Sequence, residues 1–397
     1  MFFTHPPKKY FPLHFFINNS SLLAVAGAIF LNGFLLSLLN KLPLARLLLV
    51  EGSILLFFLL AGFRAAFLCS ASMLFMYLIL TKPATSKSLL FLLLLPLPLF
   101  LKTDSSTGRY FILKNTLEII RNSPEGIGMG KFKIAYPLQQ AKYFNRNDLN
   151  SREALLADNV ESALNEYLQL AAEFGVMAGF FFLLFQWAIF YRGVVQYKKQ
   201  PSNALLFAIT IFSGICTAAL FFNVLHNWWL LALYIFCAGV IFFQPIRMLL
   251  GYWYFSALAT VTCYLIPGTY FEQRERKIIA TAVQYSFSGY RLLADSFFNQ
   301  AQHKNSPKYQ QEYGAHLLRF GWDDSAYVVL QKAIQQNSNY RVYGLLGDIA
   351  LNRQDTGLAR YYYEMAVYMV PARLSSRLRL VNYYRNTGNW KKELYWL

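Results

Sequence analysis

Three groups of residues in this 397-residue chain have types and spacings suited to chemistry on a charged, oxygen-rich substrate. Arg64 is the only basic residue in the apolar block Leu47–Leu80. Its planar guanidinium fork can grip phosphate oxygens bidentately and stays ionised; the competing role is an anchor at a membrane face, where the charge is solvated. Arg109 opens RYFILKNTLEIIRN, whose Phe111, Ile112, Leu117, Ile119 and Ile120 would form an apolar face lying on a membrane surface. An arginine at that depth meets phosphate oxygens of a headgroup or of a substrate. Arg121, Lys131 and Lys133 are weaker candidates of the same kind, since solvated or lipid-facing charges look the same in sequence.

The third group surrounds the string SALNEYLQ (162–169), with the acids Asp158, Glu161 and Glu166. Asp158 and Glu161, three apart, can share a helical face. Neighbouring carboxylates hold a proton more readily than isolated ones, as a general base must; acids favoured by a helix N-terminus are the alternative. His226, in FFNVLHNWW, is a further candidate base or else a satisfied interfacial histidine. Asn165, Tyr167 and Gln169 carry groups that hydrogen-bond sugar hydroxyls. Gly126, Gly128 and Gly130 invite a phosphate-loop reading, but no strand precedes them and the spacing is neither GxGxxG nor GxxxxGK[ST]; they end a helix and allow a tight turn.

The elements that must position these residues are mostly apolar. The chain is 56% hydrophobic and only 14% charged, far below the quarter expected of a soluble domain. Apolar runs at about 20–39, 47–62, 65–80, 88–101, 169–191, 203–222, 227–243 and 248–268 predict an all-α polytopic membrane bundle of about eight spans. The run Leu47–Leu80 is 34 residues, about 51 Å as one helix against a hydrocarbon core of about 30 Å, so a hairpin turning at Gly62–Phe63–Arg64 is expected. The predicted organisation is 1–101 membrane spans, 102–168 a large polar loop, 169–271 further spans, and 272–397 a separate helical region.

Lys41/Arg46, Lys82/Lys87, Arg192/Lys198/Lys199 and Arg247 fall in alternate connections and mark the cytoplasmic side. The loop, the Arg64 turn, the Asn223–Asn227 connection and everything after about Gly268 then share the opposite face; Lys8 and Lys9 run against the scheme. The first 15 residues have no cleavable-signal pattern. The net charge of +17 includes seventeen Lys/Arg against ten Asp/Glu in residues 272–397. With no arginine-rich tract or reader module, it suits anionic lipid, diphosphate or acidic glycan better than nucleic acid, and no nucleic-acid partner is expected. The four cysteines fall in predicted spans and the five histidines are scattered, so neither a metal site nor any other cofactor is expected.

Beyond Glu272 a 33-residue correspondence emerges: Gly314/Gly347, Ala326/Ala359, Leu330/Tyr363, Ala333/Ala366 and Ser338/Pro371. Small residues where helices cross and a proline at the boundary fit a tetratricopeptide-like α-solenoid of two to three repeats, with a third copy beginning near Leu374 and including Gly388 and Trp390. Such surfaces recruit protein partners.

The polar loop carries GRYFILKNTLEIIRNSPEGIGMGKF, then YP (Tyr136–Pro137), then ALNEYLQLAAEFG. With the arginine of LLAGFRAAFL, this order resembles the O-antigen ligase superfamily over about residues 47–245. The superfamily includes O-antigen ligases, O-antigen polymerases and protein O-oligosaccharyltransferases. The resemblance implies transfer of a glycan from a polyprenyl-diphosphate donor to a lipid, glycan or protein acceptor, without metal, at the outer face of the bacterial inner membrane. It implies that Arg64 and Arg109 contact the diphosphate and that Asn165, Tyr167 and Gln169 contact sugar. It makes Glu173, the acid before Gly, an expected partner of Arg64 or Arg109. The departure is a missing histidine: many ligases place one just before the Asn of this motif, where Ser162, Ala163 and Leu164 stand. The base role then falls to Asp158, Glu161, Glu166 or His226, or the chain is a non-catalytic membrane-anchored scaffold for envelope polysaccharide assembly.

Overall fold

A computed structural model of the chain describes residues 20–38, 43–81, 103–243, 273–389 and 391–392. The expected spans at 88–101 and 248–268, the basic residues Lys8, Lys9, Lys41, Lys82, Lys87 and Arg247, and Trp390 lie outside the described residues. Every regular element among the described residues is helical, so the all-α expectation holds. The chain divides into two compact units, one within Met1–Thr103, Leu164–Tyr167 and Phe182–Ile246, the other within Asp104–Ala163, Leu168–Phe181 and Arg247–Leu397.

In the first unit, helices α1 (Ser20–Leu38), α2 (Leu44–Leu60) and α3 (Arg64–Thr81) form because long apolar runs of Leu, Ala and Phe contain no interior proline. The turn between α2 and α3 falls where the sequence puts it. Gly62 takes φ +75°, and the Gly62 and Phe63 N–H groups donate back to the Leu59 and Phe58 carbonyls at 3.1 and 2.9 Å, a left-handed helix cap. Later in the chain come the first two residues of α7 (Glu166–Phe174), α8 (Val176–Lys199) from Phe182 onward, α9 (Asn203–Ala218) and α10 (Trp228–Phe242); Leu168–Phe181 belongs to the second unit. Helix α9 packs on α1, α3 and α10. Glycine lets these backbones close up: a Cβ on Gly33 would meet Ile211 at 2.7 Å, and one on Gly214 would meet Met73 at 2.7 Å. The hydroxyls of Ser72, Ser213 and Thr217 tie α3 to α9, with Thr217 Oγ1 donating to Ser72 Oγ at 2.8 Å.

Helices Arg64–Thr81 and Val176–Lys199 are long and apolar enough to cross a membrane. Along α8, Phe181, Phe185 and Trp187 point outward and are exposed.

The second unit contains α4 (Thr103–Asn122), α5 (Phe132–Phe144), α6 (Arg152–Leu156), α11 (273–287), α12 (Arg291–Gln300), α13 (Pro307–Arg319), α14 (Asp323–Gln336), α15 (Tyr340–Asn352), α16 (Thr356–Met369) and α17 (Leu374–Asn386). From α13 onward each helix packs against the next. The 33-residue correspondence has a geometric basis. Gly314 faces Leu330 and Gly347 faces Tyr363, where a Cβ would lie 2.6 and 2.5 Å away, and Ala326, Ala359, Ala333 and Ala366 are all buried. The first helix of each pair ends in a left-handed residue, at Gly321, Gln354 and Gly388. Helix α5 packs on α14 and α16, and Ala141 joins their core beside Leu330, Ala333 and Leu346. The Gln140 amide donates to the Met369 carbonyl. The polar loop and the C-terminal helices therefore share hydrophobic packing. The YP pair serves a smaller core: Tyr136 is fully buried and stacks on Phe132 with ring centroids 5.4 Å apart.

Candidate functional site

Within the first unit the Asn165–Glu166–Tyr167 segment is held against the loop that follows α9. The Asn165 side-chain amide donates to the Leu220 carbonyl at 3.2 Å, and the Glu166 N–H to the Ala219 carbonyl at 2.8 Å. The Tyr167 hydroxyl lies 2.8 Å from Gln186 Oε1 and 3.1 Å from the Cys216 carbonyl. Leu164, just ahead, takes φ +51°; a branched residue in the left-handed region costs about 1–2 kcal/mol and persists only where surrounding contacts enforce it.

Glu166 is 1% exposed. Its Oε2 accepts from the Leu225 N–H at 3.0 Å, fixing the short 3-10 turn Val224–His226, and its Oε1 lies 3.7 Å from His226 Nδ1. The imidazole itself is largely exposed. A buried carboxylate thus stands at ion-pair distance from an imidazole whose ring is open to groups on the solvent side. Two residues named separately as candidate bases, sixty positions apart, thus form one pair.

Next to them an open groove of about 390 Å³ is lined by Ser72, Phe75, Tyr167, Trp187, Thr217 and Leu220, among others. Leu220 and Tyr167 connect it to the residues that hold Glu166. Gln186 also lines it, and sequence reasoning passed it over; the signal was an amide alone in the apolar run Phe180–Phe190. Arg64 belongs to this unit and is the half-buried first residue of α3.

The second unit explains the glycine string. The Ile127 and Gly128 N–H groups donate to the Ala172 and Glu173 carbonyls, both at 2.9 Å, and the Val176 N–H to the Pro124 carbonyl at 3.0 Å. Gly126 and Gly175, at φ +95° and +94°, sit where the two backbones touch. A Cβ on Gly126 would lie 2.6 Å from the Glu173 carbonyl oxygen, and one on Gly175 would lie 2.8 Å from that of Glu125. Glu173 is buried, and its carboxylate closes the clamp: Oε2 accepts from the Gly130 N–H at 2.9 Å and Oε1 from the Gln169 amide at 2.7 Å. The Gln169 carbonyl oxygen in turn accepts from the Ala163 N–H at 2.8 Å. Gln169, expected to meet sugar, is 3% exposed and has both ends of its amide engaged within the protein.

The other candidates in this unit have partners and exposures of their own. Asp158 is exposed and paired with Arg373, whose Nη2 lies 2.8 Å from Oδ2, and Glu161 accepts from Asn337 Nδ2 at 3.2 Å. Arg109 is half-buried in α4. Lys131 is exposed ahead of α5, with its aliphatic stem beside Gly128, and Lys133 is half-buried.

Residues 15–183 match the family model described as O-antigen ligase. No curated protein and no solved structure matches the chain.

Proposed function

We propose, from the match of residues 15–183 to the O-antigen ligase family model, that this chain is a membrane glycosyltransferase of that superfamily whose general base is His226 supported by Glu166. The acceptor hydroxyl attacks the anomeric carbon of the donor glycan, the bond from that carbon to the diphosphate oxygen breaks, and polyprenyl diphosphate leaves. His226 takes the hydroxyl proton. The Glu166 carboxylate, 3.7 Å away, offsets the positive charge that the imidazole acquires, so the missing loop histidine is replaced from a different part of the chain.

The carrying observation is that this pair adjoins the groove lined by Tyr167 and Leu220. Its largely apolar walls suit an isoprenoid chain, and the outward aromatics of α8 suit lipid. Arg64 is our candidate for the diphosphate oxygens, and Arg109 a second phosphate contact. Lys131, Lys133, Asn165 and Tyr167 remain candidates for substrate contact, and the C-terminal helices for recruiting a protein partner. The reaction face would be extracytoplasmic, at the bacterial inner membrane.

The test is a deletion strain, in which lipid-linked glycan should accumulate and disappear on complementation. His226→Gln should cut transfer by about 10²–10⁴, the usual contribution of a general base, and Glu166→Gln should impair it less. Asp158→Asn and Glu161→Gln should transfer normally. Full activity of His226→Gln would end this assignment. The scaffold reading draws support from the structural engagement of Asp158, Glu161 and Gln169; it takes over if wild-type protein transfers no glycan to any lipid, glycan or protein acceptor.

A further inference from the structure

Helices α11, α13, α15 and α17 of the second unit together enclose a cavity of about 380 Å³. Three arginines line it, Arg319, Arg341 and Arg379, against one acid, Glu312. Each guanidinium is held differently. Arg379 is gripped from behind by Asp348, with Nη2 3.1 Å from Oδ2. Arg341 Nη1 lies 3.3 Å from Glu312 Oε1. Arg319 is oriented by neutral groups: Nη1 donates to Ser286 Oγ at 2.6 Å, and the guanidinium lies 3.8 Å from the centre of the Phe287 ring. No carboxylate lies within ion-pair distance of Arg319 among the described residues, so its guanidinium is positioned without a direct ion pair. Gly344 completes the arrangement, because a Cβ there would come within 2.9 Å of Arg379 Nη1. Its absence is what lets that guanidinium lie beside α15.

We propose that this cavity binds the carboxylate of an acidic sugar residue on a glycan chain. Guanidinium forks match a carboxylate bidentately. Ser286, Gln311 and Ser375 add hydroxyl and amide partners of the kind sugar hydroxyls require. The inference rests on the transferase reading only for the source of the glycan; it then names an anionic polymer as the substrate class.

The experiment is calorimetric titration of the full chain in detergent with trigalacturonate, a neutral galactose trisaccharide, inorganic phosphate, and an N-acetylated tripeptide with a free C-terminus. Trigalacturonate should bind at least tenfold more tightly than the other three. Arg319→Gln should weaken it tenfold or more, Arg319→Lys less, and the exposed Lys332→Gln not at all. Arg341→Gln and Arg379→Gln provide independent checks, with circular dichroism reporting their folding. Absence of trigalacturonate binding, equal binding of the neutral sugar, phosphate or peptide, or unchanged affinity in folded Arg319→Gln would overturn the proposal. His226→Gln protein should bind trigalacturonate normally, so undiminished transfer by that variant with binding intact would count against the transferase reading alone.

Discussion

Replacing Gly126 by alanine tests the reasoning about the clamp most directly, because its cost can be built from the geometry. The new Cβ would stand 2.6 Å from the Glu173 carbonyl oxygen, 2.6 Å from the Gly175 nitrogen and 2.8 Å from the Phe174 carbonyl carbon. All three are backbone atoms that cannot rotate away, so relief needs a separation of about 0.7 Å. A 2.9 Å hydrogen bond stretched by that much falls outside bonding range, and at least two of the four contacts joining 124–130 to 172–176 would go, at about 0.5–1.5 kcal/mol each. Forcing an L side chain to φ +95° adds about 1–2 kcal/mol, and residual overpacking about 1 kcal/mol. The total is about 3–6 kcal/mol, so exchange protection of the Ile127 and Gly128 amides should fall by roughly two to four and a half orders of magnitude. Gly130→Ala is the control: its φ of +69° carries the same backbone cost, but nothing lies within 4 Å of the new Cβ, so its loss should stay near about 1 kcal/mol. Equal losses in the two variants, or wild-type protection in Gly126→Ala, would refute the argument from contact.

Gln354 occupies the left-handed position that Gly321 and Gly388 fill in the neighbouring helix pairs, so Gln354→Gly should stabilise the second unit by about 1 kcal/mol, read as a rise in unfolding midpoint; destabilisation would contradict it. Asp158→Asn removes an exposed ion pair with Arg373 and should cost under about 1 kcal/mol, whereas Gly347→Ala, which drives a Cβ into Tyr363, should cost about 1–3 kcal/mol; the reverse order in chemical denaturation would show that the core has been misjudged. Arg64→Lys and Arg109→Lys keep the charge and lose the fork, so each should slow transfer roughly 10- to 150-fold without loss of protein; wild-type turnover removes the residue from the mechanism. The topology is tested at exposed Asn145 and Asn305, since Ser151 and Ser306 cap helices through their hydroxyls. Cysteine at either position should react with impermeant maleimide in spheroplasts, and protection until lysis would reverse the assigned face.

Local features were written in the sequence because they depend on neighbours along the chain. The apolar runs dictate α1 to α3, Gly62 dictates the turn before Arg64, and the 33-residue spacing dictates where Gly314 and Gly347 must let a second helix approach. The string of glycines after Pro124 could be read as a tight turn for the same reason. What lay across that turn could not: Glu173 and Gly175 are distant in sequence, and nothing in periodicity says which backbone a glycine makes room for. The same limit governed the candidate site. The family resemblance, joined to residue type, named Glu166 and His226 as possible bases but gave no reason to join them, because a pairing over sixty residues is fixed by how α7 meets the loop after α9. It also left Gln169 among the sugar contacts, whereas the tertiary structure engages its amide with Ala163 and Glu173. A side chain's type sets which bonds it can make; only the folded chain decides whether a partner inside the protein has already taken them.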